Sequence, residues 1–159
     1  MISGTLTQEQ HLLALRMHRR KSVTLQVAIL LGSAAIGVAT FAMGFVYPGS
    51  VLIGAGVGGM IGAFVQSRLT LPRNVAKIHR QQASLRAHNT YSWDKEWLSV
   101  STEHGQARRR WSDYIKLRES AELFLLYHSD VMFEIFPKVW FNEQEQMDEF
   151  RRFASQAVG

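Results

Sequence analysis

The chain of 159 residues contains no cysteine. Disulfide frameworks, thiolate nucleophiles and cysteine-ligated metal sites are therefore excluded. Proline is scarce, with three residues in all, and no low-complexity tract occurs. Charge is missing altogether from Val23 to Val65, a run of 43 residues. That is far longer than the ~18 uncharged apolar residues that mark a membrane span, so a wholly soluble chain is not expected. Acid is missing over a still longer stretch, since Glu9 is followed by no carboxylate until Asp94. Disorder is excluded as well, because 47% of the residues are hydrophobic and suffice to bury a core.

What charge there is has a pattern. The net charge of +5 and a pI near 9.9 would suit a nucleic-acid partner, but its position argues otherwise. Residues 1–22 carry four basic side chains and one acid, residues 66–91 carry five basic ones and no acid, and residues 92–159 carry nine against twelve. The positive charge flanks the apolar tract and leaves the rest of the chain acidic. No nucleic-acid partner is expected. Arg16, Arg19, Arg20 and Lys21 before the tract, and Arg68, Arg73 and Lys77 after it, place both termini in the cytoplasm by the positive-inside rule. The expected location is a bacterial inner membrane, crossed twice, with the lipid bilayer as the first partner. The tract begins too late and runs too long for a cleaved signal peptide.

Two spans are expected, residues 23–47 and 51–66, with Pro48, Gly49 and Ser50 as the break between them. Residues 1–22 read as a cytoplasmic helix that starts at the capping box Thr7 to Gln10. Glycine is concentrated in the second span. Gly54-Ala55-Gly56-Val57-Gly58-Gly59 has the form of a dinucleotide fingerprint, but no strand–helix–strand unit and no nearby acid accompany it. Gly54, Gly58 and Gly62 share one helical face, and Gly32 in the first span is a small residue to match them. Helix packing within the hairpin is the first reading of this face, and homo-oligomerisation is the second. Residues 70–88 read as a basic amphipathic connector helix, with Val75, Ile78 and Leu85 apolar and Arg73, Lys77, Arg80 and Arg86 basic. Arg73, Lys77 and Arg80 are candidates for anionic headgroups.

Residues 89–159 form the cytoplasmic domain. Leu98 and Val100, Ile115 and Leu117, Leu123 to Tyr127, and Val131 to Ile135 alternate in the period of strands, with turns at His104-Gly105 and Ser129-Asp130. Asn142 with Glu145 reads as the start of a final helix. Its apolar stripe is Met147, Phe150, Phe153, Ala154 and Ala157. The expected fold is a membrane α-helical hairpin followed by an α+β domain. That domain is an antiparallel meander or partly open barrel closed by a C-terminal helix, pleckstrin-homology-like. Trp93, Trp97, Trp111 and Trp140 are expected to anchor its core.

Trp111-Ser112-Asp113, Phe124-Leu125-Leu126-Tyr127, and Phe136-Pro137-Lys138 followed by Phe141 resemble the YcxB-like family of bacterial membrane proteins. The resemblance implies a two-span anchor and a cytoplasmic C-terminal domain, and it supplies no catalytic residue. Trp111, Asp113, Tyr127, Pro137, Lys138 and Phe141 are accordingly expected to serve the fold. Arg108, Arg109 and Arg110 form the densest basic cluster. On a strand the first and third share one face; they either protect a sheet edge or meet lipid headgroups. The six histidines are scattered, and no metal site, cofactor or catalysis is expected. The chain reads as a membrane-held interaction or regulatory protein with a protein partner yet to be identified. An anionic-lipid-binding module and an oligomeric transport component assembled through the glycine face are the alternatives.

Overall fold

The structure is a computed structural model and describes residues 1–81, 87–103 and 105–156. Leu85, Arg86, His104 and Ala157, which figured in the sequence reading, lie outside the described residues. The chain divides into two compact units, residues 15–77 and residues 1–14 with 78–159.

The first unit is a helical hairpin. Its first helix, α1, runs over Gln8–Ala42 and its second, α2, over Val46–Val65. The turn lies at 43–45, where Gly44 takes a φ of +91°, a value that favours glycine. The break is therefore earlier than Pro48. Pro48 sits inside the first turn of α2, where its missing N–H has no helical acceptor to lose. At the far end the second helix does not stop at residue 66. It passes through a π-helical turn, Gln66–Thr70, into α3, Leu71–Gln81, so that one helix of 36 residues covers 46–81. Pro72 explains the turn: in a regular helix its ring would crowd the carbonyl of Arg68 four residues back. The expected span and connector are thus one helix.

Each helix is about 50 Å long at 1.5 Å per residue. Both are long and apolar enough to cross a membrane, and only 6% and 11% of their most apolar windows are buried. Hydroxyls in the hairpin are satisfied by backbone carbonyls: Thr40 donates to Ile36 at 2.8 Å, Ser50 to Val46 at 2.9 Å, and Ser33 crosses to Leu52 at 3.2 Å. The helices meet through Gly37, Gly49, Gly56 and Gly59. A Cβ at Gly56 would lie 2.8 Å from the Ala34 Cβ, and one at Gly49 would lie 2.7 Å from the Phe41 nitrogen. Gly54, Gly58, Gly62 and Gly32 are not part of this contact. A Cβ at any of them would meet nothing within 4 Å, so the expected packing face is the wrong one, and at about 100° per residue Gly54, Gly58 and Gly62 lie nearly on the opposite side of α2.

The second unit is built from two antiparallel sheets and a helix. The first sheet has four strands in the order β1 (Ile2–Thr5), β2 (His88–Trp93), β3 (Trp97–Thr102) and β4 (Gly105–Arg110). The second has three: β5 (Lys116–Glu119), β6 (Leu123–Tyr127) and β7 (Phe133–Pro137). The final helix α4 spans Gln144–Gln156. It starts two residues later than Asn142, whose backbone N–H donates to the Gln146 side chain at 3.2 Å.

Strand β1 is absent from the sequence reading and changes the domain boundary. Residues 2–5 pair with 88–91, Ile2 opposite Tyr91 and Thr5 opposite His88, and Ile2 and Leu6 are buried in the core. The domain is therefore discontinuous in sequence, and the hairpin is inserted between its first and second strands. The capping box then starts α1, with the Thr7 N–H donating to Gln10 Oε1 at 3.0 Å and the Gln10 N–H to Thr7 Oγ1 at 3.2 Å. Phe150 of α4 is fully buried at the centre of five rings. Those of Trp93, Trp111, Phe124, Phe136 and Phe141 lie 4.9 to 5.7 Å from it. Trp111 and Trp140 belong to this core and Trp93 packs against it. Trp97 does not belong to it, contrary to expectation.

Candidate functional site

Strand β4 is an edge of the four-stranded sheet, and all six of its residues are exposed. Pleating puts Arg108 and Arg110 on one face and Arg109 on the other. Arg108 and Arg110 close over the Trp97 ring at 4.6 and 4.9 Å from its centroid, so that this indole, outside the core, is half-buried. The register supports the arrangement, with Trp97 opposite Arg110 and Ser99 opposite Arg108.

The three arginines differ in what they face. Arg108 pairs with Asp94 at 3.0 Å. Arg109 pairs with Glu134 at 2.8 Å and reaches His128 Nε2 at 2.6 Å, which ties β4 to the second sheet. Arg110 has no carboxylate within ion-pair distance among the described residues. Its two acidic neighbours are occupied. Asp94 accepts the N–H groups of Glu96 and Trp97, both at 2.8 Å, and these bonds hold its carboxyl below the ordinary value. Asp113 accepts the Arg110 backbone N–H at 3.2 Å.

Beside Arg110 lies an open depression of about 420 Å³, lined by Lys95, Glu96, Arg110, Trp111, Ser112, Phe153 and Gln156. The Trp111 indole N–H donates to the Asp94 carbonyl at 2.9 Å and fixes the ring there. Lys95 and Gln156 were not singled out in the sequence, and Ser112 only as part of Trp111-Ser112-Asp113. They come from a turn, a short helix and the end of α4, and no spacing links them.

The remaining residues of the sequence motifs hold elements together. Asp113 caps the short helix Trp111–Asp113. Tyr127 and Pro137 are buried, and Phe141 is in the core. Lys138 donates to Glu119 at 2.6 Å and lies 4.9 Å from the Phe124 ring centroid. Arg151 grips both oxygens of the same carboxylate at 2.8 Å and also pairs with Asp148. Arg151 first, then Lys138, hold the Glu119 carboxyl down to about 2.

A second polar cluster, also not foreseen, centres on Glu134. His128 Nε2 lies 2.9 Å from its Oε1, and the Tyr114 hydroxyl donates to its Oε2 at 3.4 Å. Burial and this carboxylate push the Tyr114 phenol well above its ordinary value. On α3, Arg73, Lys77 and Arg80 are exposed and recur at helical spacing. The first two belong to the hairpin unit and Arg80 to the sheet unit.

Comparison with known proteins gives one match: residues 93–154 fit the family model described as YcxB-like protein. No curated protein and no solved structure matches. The matched segment runs from the last residue of β2 into α4 and carries Trp111, Asp113, Tyr127, Pro137, Lys138 and Phe141. The family resemblance drawn from those residues therefore stands: residues 93–154 of this chain are similar to the YcxB-like family.

Proposed function

We propose that this chain is a non-enzymatic, membrane-held interaction module: a pleckstrin-homology-like domain anchored in a bacterial inner membrane by the hairpin inserted into it, with both termini cytoplasmic. The observation that carries this reading is the insertion of the hairpin between β1 and β2. Both helices leave the same domain, so the anchor is a part of the domain and not a tail appended to it. The sheet order of four and three strands with one closing helix supports the pleckstrin-homology-like architecture. The exposed apolar surface of the helices supports the bilayer, since such surface in water drives association.

The absence of cysteine makes the topology directly measurable. Met43→Cys in the turn and Ser155→Cys in α4 are labelled with an impermeant maleimide in cells with an opened outer envelope. Labelling of Met43→Cys alone, with Ser155→Cys reacting only after lysis, is the expected result. The reverse pattern overturns the proposed orientation.

A second reading is favoured by one observation. Gly54, Gly58 and Gly62 keep the spacing of four and have open space where a Cβ would lie, which suits close approach of another helix. Homo-oligomerisation through this face, the arrangement an oligomeric transport component would need, predicts crosslinked oligomers that Gly58→Leu abolishes. Monomers in both proteins contradict it.

A further inference from the structure

We propose that Lys95, Arg110, Ser112 and Gln156 form a binding site for a phosphomonoester group. The proposal rests on the reading of the domain as an interaction module and adds the ligand's chemical class. Three adjacent arginines protrude from β4, and two of them have carboxylate partners. Arg110 alone of the three is left without one, because Asp94 is held by Arg108 and by two backbone N–H groups, and Asp113 is held by the Arg110 backbone. Its guanidinium is nevertheless kept in place by the Trp97 ring at 4.9 Å. An ordered guanidinium loses less side-chain entropy when it takes up a ligand.

Lys95 also has no carboxylate partner among the described residues, and it lines the same 420 Å³ depression as Arg110. Ser112 and Gln156 bring a hydroxyl and an amide to it, and neither makes a hydrogen bond among the described residues. Two cations and two neutral donors around one opening suit a group with nearly two negative charges and three acceptor oxygens. A phosphomonoester has both. A phosphodiester carries a single charge and has fewer terminal oxygens, so it fills the set less well. The buried Trp111 and the half-buried Phe153 supply an apolar wall for whatever carries the phosphate. Glu96 is the one group on the lining that opposes an anion, and it provides a control of opposite sign.

A phosphomonoester reaches such a site either free in solution or as a lipid headgroup. The test uses the full chain in phosphatidylcholine nanodiscs, titrated with inorganic phosphate by calorimetry, with sulfate alongside. Saturable phosphate binding is expected, weakened about tenfold or more by Arg110→Ala and by Lys95→Ala. Glu96→Gln should tighten it. Lys95 and Glu96 are exposed, so these two variants keep the fold even if Arg110→Ala disturbs the stack on Trp97. Repeating the titration in nanodiscs doped with phosphatidic acid separates the sources. Loss of the phosphate signal identifies the lipid headgroup as a ligand, and an unchanged signal identifies a soluble one. No binding, or binding that none of the three variants changes, overturns the site. Failure of the anchoring reading shows separately, as release of the chain from the nanodiscs before any titration.

Discussion

The two units of this molecule are held together by opposite means. In the hairpin the helices approach where side chains are missing: Gly49 and Gly56 let the backbone of α2 come against Phe41 and Ala34. In the sheet unit the core is filled by rings, five of them around Phe150. The lesson is that the units fail under opposite substitutions. The hairpin is broken by adding atoms and the sheet unit by removing them. Their polar groups differ in the same way. Thr40 and Ser50 in the hairpin turn back on their own helix and only Ser33 among the described hydroxyls crosses to the other, whereas the carboxylates of the sheet unit, Glu119 and Glu134, bridge separate elements.

Each half of this comparison can be broken by substitution. The largest effect is expected from Phe150→Ala, which empties the centre of the ring cluster and should cost about 3–5 kcal/mol. Denaturant unfolding followed by tryptophan fluorescence measures it cleanly, because all four tryptophans lie in the sheet unit. Ile2→Ala should cost the same unit about 3 kcal/mol, although residue 2 is 89 positions before its strand partner Tyr91. A loss below 0.5 kcal/mol would mean that β1 does not belong to the domain.

In the hairpin, Gly56→Leu should cost about 1–3 kcal/mol by overpacking, and Gly58→Leu should leave the helix pair unchanged. Spin labels at Val23→Cys and Gln66→Cys report the difference as a broadened distance distribution in the first variant only. Thr7→Ala removes one half of the capping box and should cost about 1 kcal/mol.

The smallest effects are those of pH, and they fall in two windows. Burial, and then the nearby His79, hold His11 below its ordinary value of 6.5, and its Nδ1 is buried without a partner among the described residues. Protonation therefore opposes the fold: the contribution of His11 is complete above pH 6.5 and declines as pH falls below it. Glu119, held down to about 2, contributes fully above its ordinary 4.5 and is lost as pH falls from there toward 2. His11→Gln should flatten the unfolding midpoint just below pH 6.5. Glu119→Gln should flatten it only below 4.5.

Much of this architecture was legible in the sequence, for reasons that differ by region. The hairpin showed itself because an uncharged run of 43 residues is a signal that composition alone carries. Strands β3, β5, β6 and β7 showed themselves by alternation and α4 by its apolar stripe, whereas β2 begins at His88, inside the expected connector helix. Strand β1 did not, since Ile2-Ser3-Gly4-Thr5 has a single large apolar residue and its partner strand lies beyond the whole hairpin. Pro48 misled because a proline in the first turn of a helix looks the same, in sequence, as one that ends it. The glycine face misled because spacing shows which residues share a face but not which way the face points. The alternation of Arg108, Arg109 and Arg110 was legible. Which of them lacked a carboxylate was not, since Asp94 and Glu134 reach them only through the register of the sheets.

The central claim is that β1 and the YcxB-like region make one domain with the hairpin inserted into it. The cysteine-free chain allows a direct test. Ser3 and Thr90 are paired across β1 and β2, and paired Cα atoms lie within the roughly 4.4–6.8 Å that a disulfide spans. The double variant Ser3→Cys, Thr90→Cys is expected to close an intramolecular disulfide in the whole 159-residue chain under mild oxidation. Free thiols, or disulfides only between chains, would contradict it.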